Sequence, residues 1–265
     1  MLDLAIPVLY ALAIWWLGTG IVLTVVRRRV ETHRSSTAIG LSFALAALMV
    51  IAATAGEATP LSAHAGFTAA IVVWGFIELT FLTGLITGPN KQGAAGAFGA
   101  ARFRPAVAAV IHHELALVAG GIAILIAANG ALAATAVVTY ALLWIMRLSA
   151  KLNLFLGVPQ LHDELLPAPI AHLRSHFRGG PTTLRLVLCI LVPLCGATLL
   201  VWLAIAATSA AVATAYALLA TLLLLAALEH VFMLVPIPLM KMWDWSGRPA
   251  PTVGKTEISM TRRGL

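Results

Sequence analysis

Four apolar stretches carry ionisable side chains in the middle of runs that are otherwise almost free of them. Glu78 sits in WGFIELTFLTGLITG, and His112, His113 and Glu114 sit in VIHHELAL. Arg147 and Lys151 sit in LLWIMRLSAKLNLFLGV with Asn153 close behind, and Glu229 and His230 sit in LLAALEHVFMLVP. An ionisable group in hydrocarbon is costly, so it marks either a pair that holds helices together or a site. Carboxylates with imidazoles are a ligand set for iron, manganese or zinc. An unprotonated imidazole can instead be the axial ligand of a tetrapyrrole. The small residues that follow it, Ala116, Ala119, Gly120 and Gly121, would leave room for a flat ring. A chain of such groups can also carry protons or a substrate. The structural alternative is simpler. Three acids, Glu78, Glu114 and Glu229, face two bases, Arg147 and Lys151, and such a set can pair off. Lys151 is also long enough to snorkel to an interface.

Helical spacing limits these readings. Arg147 and Lys151 are four apart and share a face, whereas Asn153 points nearly opposite Lys151. His112, His113 and Glu114 are consecutive, at steps of about 100°, so they cannot all aim at one point. His113 with one neighbour is the expected inward pair. A di-iron bundle site takes Glu-x-x-His from two helices. Neither Glu114 nor Glu229 has a histidine three residues later, so that motif is absent.

The elements that position these residues follow from composition. The chain has 265 residues, of which 61% are hydrophobic and 10% charged, and its mean hydropathy is +0.98. Soluble domains carry about 25% charged residues. Disordered tails, disulfide scaffolds and cytosolic dinucleotide enzymes are excluded. Cys189 and Cys195 share one apolar run and read as core residues. A bilayer-crossing helix needs about 20 apolar residues, and seven runs qualify. They cover roughly 4–26, 37–55, 62–87, 105–127, 131–156, 182–206 and 211–235. The first lacks a basic leader and is followed by three arginines, so it reads as a retained helix. The expectation is an all-α, polytopic membrane protein forming one domain over 1–265. At 1.5 Å per residue, Glu78, Glu114, Arg147 and Glu229 all fall roughly 9–14 Å below one interface. Four helices therefore place polar groups in one layer.

Charge sets the orientation. None of the 17 Lys and Arg lies in the N-terminus or in the short turns at 56–60, 129–130 and 208–209. They gather in 27–36, 88–104, the segment around 159–185 and the tail, apart from Arg147 and Lys151. By the positive-inside rule those segments are cytoplasmic, with the N-terminus outside and the C-terminus inside. The net charge of +7 is then topology and lipid headgroup attraction, not nucleic-acid binding. Ile170, Leu173 and Phe177 have helical spacing, so about 160–178 reads as an interfacial helix, apolar side down. His172 and His176 are an i,i+4 pair on it, with no carboxylate at ligand spacing. Trp243 and Trp245 read as an aromatic belt, and about 248–265 as a mobile tail.

WGFIELTFLTGLITGPN (74–90), HHELAL (112–117), KLNLFLGVPQLHDELLP (151–167) and EHVFMLVPIPLMKMWDW (229–245) resemble the PuhE family. These are photosynthetic complex assembly proteins of purple phototrophic bacteria, whose genes accompany that of the reaction-centre H subunit. The resemblance runs from the third span to the tail, and Gln160 and Asp163 depart from it. It implies an assembly factor of the bacterial inner, intracytoplasmic membrane that affects bacteriochlorophyll supply. Its partners would be lipids, reaction-centre subunits, pigment or pigment-synthesis enzymes. It implies no catalytic residue. An oxidoreductase holding a metal or tetrapyrrole at Glu78, His112, His113, Glu114, Glu229 and His230 is the first alternative. A transporter or proton path is the second, although no paired broken helices are evident.

Overall fold

The computed structural model describes residues 2–93, 99–131, 134–162 and 166–247. Within these residues the protein is helical, without strands, and seven helices are long and apolar enough to cross a membrane. They are α1 (Leu2–Val26), α2 (His33–Ala53), α3 (Pro60–Leu82), α4 (Phe103–Ala127), α5 (Thr135–Leu156), α6 (Leu184–Ala206) and α7 (Ala210–Phe232). Two short 3-10 helices matter below, a loop helix (Ala168–His176) and a terminal helix (Leu239–Ser246).

Local chemistry sets several of the ends. Pro60 opens α3 behind a capping box. The Ser62 amide donates to the Thr59 hydroxyl oxygen at 3.0 Å, and the Thr59 amide donates to Ser62 Oγ at 3.1 Å. Thr183 caps α6 by accepting from the Leu186 amide. α5 stops at Gly157, whose φ of 126° disfavours other residues. Pro7 and Pro193 lie inside α1 and α6, where a membrane bundle tolerates them.

α3 and α7 form the centre. Buried residues make up 56% and 61% of their spans, against 11–17% for α1, α2 and α6, which lie toward the outside of the bundle. Small residues line the seams. Ala44 and Ala47 of α2 cluster with Ala69, Ala70 and Val73 of α3. Lipid tails remove the hydrophobic drive between helices, so close backbone approach and van der Waals packing replace it.

The helical run expected over 62–87 ends early, at Leu82. Gly84 takes a φ of 76°, and the Ile86 amide turns back to the Thr80 carbonyl at 3.0 Å. Residues beyond it dock on α4. The His113 amide donates to the Thr87 carbonyl at 2.9 Å, and the Asn90 amide to the Ala108 carbonyl at 3.2 Å. Gly88 passes so close that a Cβ there would lie 2.1 Å from the Ala108 carbonyl oxygen. The loop is thus fixed to the bundle directly over His113.

The expected interfacial helix over 160–178 is also corrected. Pro167 and Pro169 interrupt the segment, and its helical part is the 3-10 turn Ala168–His176. A three-residue period puts Ile170, Leu173 and His176 on one face, and all three are buried. Ile170 and Leu173 pack on Phe81 and Ala109, so the loop helix sits on protein rather than apolar side down on lipid. A backbone bridge closes its far end: the Val158 amide donates to the Arg178 carbonyl, and the Gly180 amide to the Val158 carbonyl.

Trp243, expected in an aromatic belt, is turned inward. It is buried against α1, where its Nε1 donates to the Trp16 carbonyl at 3.1 Å and its ring meets Trp15 edge-on. Gly20 leaves space for the Trp245 ring, which a Cβ would approach at 2.1 Å. Arg27 donates to the carbonyls of Trp243 and Gly247 and to Ser246 Oγ, tying the terminal helix down. The mobile tail expected over 248–265 and the departure at Asp163 lie outside the described residues.

Candidate functional site

α3, α4, α5 and α7 bring the intramembrane charges together as one chain of contacts. Glu78 lies between two partners: Arg147 Nη2 is 3.2 Å from its Oε2, and His113 Nε2 is 3.6 Å from its Oε1. The other arm of the guanidinium, Nη1, is 3.9 Å from Glu229 Oε1. Lys151 Nζ donates to Glu114 Oε1 at 2.6 Å. It also stands 5.4 Å from the centre of the Phe81 ring, which stacks on His113 at 4.2 Å. Arg147 and Lys151, one turn apart on α5, thus serve acids on three helices.

The remaining candidates lie elsewhere. His112 is exposed, because a consecutive residue must point about 100° away from His113. His230 sits beside Glu229 in sequence but faces α5 and α6. Its Nδ1 is 2.9 Å from the Ala226 carbonyl and its Nε2 is 3.0 Å from Ser149 Oγ. Asn153 joins that second group. It donates to the Ser149 carbonyl, lies 3.3 Å from Cys189 Sγ and accepts from Arg185 Nε at 3.0 Å. The expected single layer is therefore two clusters on opposite sides of α5.

This arrangement decides between chemistries. Among the described residues, no three His, Cys, Asp or Glu side chains are placed to hold one metal ion. A tetrapyrrole on His113 has no room either, because the ring is fully buried between Phe81 and Glu78. The space left by Gly120 is filled by Tyr140, whose hydroxyl donates to the Leu117 carbonyl at 2.8 Å.

The open volume lies beside the charge layer, under the loop helix. It is a cavity of about 400 Å³, within the range of small-molecule sites. Its walls are mainly apolar, with Val107 and Val110 of α4, Phe155 of α5 and Phe232 of α7. Glu114, Arg147, Lys151 and Glu229 form a polar patch on its lining. Ile170, Leu173 and His176 of the loop helix border it as well. Arg102 steadies this corner by donating to the His176 carbonyl at 2.8 Å while lying over the Phe155 ring.

His176 is the residue that helical spacing misplaced. It is 4% exposed, and neither ring nitrogen has a hydrogen-bond partner. Its pKa is lowered first by burial and then by His172 and Arg102. That of His172 is lowered by burial and by Lys91. The signal available in the sequence was the proline pair at 167 and 169, which favours a tight three-residue turn over an α-helix.

Over residues 1–253 the sequence matches the family described as a protein of unknown function, DUF3623. The chain belongs to the DUF3623 family. The match includes every residue of the charge layer and of the cavity. A curated relative is the "Uncharacterized 30.4 kDa protein in puhA 5'region" of Rhodobacter capsulatus. It is 34% identical over 237 residues, covering 88% of this chain and 86% of the relative. No solved structure matches.

Proposed function

We propose that this protein is an integral membrane assembly factor for the photosynthetic reaction centre, and that it works by sheltering an apolar ligand in the cavity beside the charge layer. The observation that carries the site is the apolar cavity of about 400 Å³ with a polar patch whose acids and bases pair with one another. Acids and bases that satisfy one another are poorly disposed to act on a substrate, whereas they can stiffen a binding chamber. The photosynthetic role is supported by the name of the Rhodobacter capsulatus relative, which places it in the puhA 5' region. It agrees with the resemblance of the third to seventh spans to the PuhE family. The partners in this reading are pigment, pigment-synthesis enzymes or reaction-centre subunits, met transiently in the intracytoplasmic membrane.

A metal-dependent oxidoreductase would need several donors gathered at one point, and among the described residues no three His, Cys, Asp or Glu side chains are so placed. The orientation that goes with the assembly role puts Arg27–Arg29, Lys91, Arg102 and Arg174 on the cytoplasmic side. A cytoplasmic reporter fused after Leu265 should be active, and a periplasmic reporter active there would overturn it. The role itself is tested by deleting the gene in its own host. Reaction-centre and bacteriochlorophyll absorbance should fall, and unchanged spectra would refute the role.

A further inference from the structure

Within the paired patch on the cavity lining, Glu229 is the member held most loosely. Its Oε1 is 3.9 Å from Arg147 Nη1, beyond hydrogen-bond range, and among the described residues it accepts no hydrogen bond. Its side chain is 44% exposed, against 21% for Glu114, which Lys151 holds at 2.6 Å. Both of these acids and both bases are on the lining, so a molecule in the cavity can reach them. The layer also holds one acid more than it has bases, Glu78, Glu114 and Glu229 against Arg147 and Lys151. A carboxylate facing an apolar chamber is costly unless something donates to it.

The placement of the patch restricts what that can be. Val107 and Val110 precede Glu114 on α4, Phe155 follows Lys151 on α5, and Phe232 follows Glu229 on α7. The apolar walls thus lie toward the loop-helix end, which Ile170 and Leu173 border, and the charges lie beneath them. A phospholipid of the bilayer has the reverse order, its headgroup outermost and its chains below. The ligand must instead carry its polar end into hydrocarbon. At roughly 30 Å³ for a group the size of a methylene or a water, about 400 Å³ holds on the order of a dozen such groups, one chain and not two.

A full charge of either sign is penalised at the patch. A carboxylate or phosphate would meet Glu114 and Glu229, and an ammonium would meet Arg147 and Lys151, each after losing its water. A carbonyl or ester only accepts, and leaves Glu229 without a donor. A hydroxyl does both, giving its proton to a carboxylate oxygen and accepting from a neighbouring cation.

We infer that the cavity takes a single-chain lipid with an uncharged hydroxyl head, a long-chain alcohol, whose hydroxyl donates to Glu229 beside Arg147 and Lys151. This rests on the reading of the cavity as an apolar-ligand site, and it gives the charges on the wall the task of recognising the head.

The test compares three ligands with one tail, dodecan-1-ol, dodecylamine and dodecanoate, at about pH 7.5, where the last two are charged. Purified full-length protein in a detergent without alkyl chains is titrated with each, and bound ligand is counted by native mass spectrometry. Dodecanol should bind at least about tenfold more tightly than either charged ligand. Glu229→Leu should weaken dodecanol about tenfold, whereas Glu229→Gln, which keeps an acceptor oxygen, should retain most of the binding. Val107→Trp should remove it, which assigns the site to this cavity and not to the outer surface of the bundle. Equal binding of the three ligands by the wild-type protein would overturn the inference while leaving the cavity an apolar-ligand site. Tighter binding of the amine or the acid would overturn it as well, and so would dodecanol binding that is undiminished in Glu229→Leu or Val107→Trp. Binding of none of the three would overturn both the inference and the apolar-ligand reading, with the assembly role still judged by the deletion strain.

Discussion

Arg147 Nη2 stands 3.2 Å from Glu78 Oε2, joining the middle of α5 to the C-terminal end of α3, where Glu78 is only 8% exposed. Removing one partner of such a pair leaves a charge stranded in a medium that cannot solvate it. Arg147→Ala should therefore destabilise the protein by about 3 kcal/mol, the low end for buried pairs because the guanidinium is partly exposed. Adding Glu78→Gln should recover part of that loss. Thermal unfolding in detergent reads both, and costs that simply add would show that the two side chains are not coupled.

Gly88 tests how the loop after α3 is held. A methyl group there would meet the Ala108 carbonyl oxygen at 2.1 Å, so Gly88→Ala must push the segment off α4. The expected cost is about 1–3 kcal/mol, as for other overpacked sites. The amide of His113 should lose hydrogen-exchange protection, because its bond to Thr87 would break. Unchanged protection would contradict the docking.

Acid should loosen the loop helix. His172 and His176 both have pKa values below the usual 6.5, so the undocked segment binds protons more readily than the docked one. Docking is then at full strength above about pH 6.5 and weakens as pH falls through that value toward the lowered ones. Residues 168–178 should exchange faster at about pH 5.5 than at about pH 7.5, once intrinsic rates are corrected. His172→Ala with His176→Ala should flatten the difference. Protection that rises in acid would reverse the sign and refute it.

The terminal helix should behave as a docked latch on α1. Trp243→Ala removes a buried ring and its bond to the Trp16 carbonyl, at a cost of about 3 kcal/mol. Arg27→Ala should release the same helix more gently, through Trp243, Ser246 and Gly247. Faster proteolysis near 239–247 in both variants is the expected result, and equal resistance in both would rule the latch out.

Hydropathy and buried charge made much of this legible in advance. Long apolar runs can satisfy their backbone in lipid only as helices, so the seven spans followed from composition. The i,i+4 spacing of Arg147 and Lys151 placed both on the inner face of α5, and they are found there with acids from α3, α4 and α7. What could not be read was partner choice across helices. Glu229 and His230 are neighbours in sequence yet serve opposite faces of α5. The fate of 83–93 turned on one glycine at a backbone crossing, and that of His176 on a three-residue rather than a 3.6-residue period. The tryptophans fitted an interface by type, but Gly20 opened a slot for them on α1.

The most direct measurement fills the cavity. A deletion strain would be complemented with either the wild-type gene or a Val107→Trp variant, Val107 being a wall residue of the cavity that takes no part in the ion pairs. Reaction-centre absorbance would be compared at equal membrane levels of the two proteins. The wild type should restore the signal and the filled cavity should not. Full restoration by Val107→Trp would contradict the claim that the cavity is where this protein does its work.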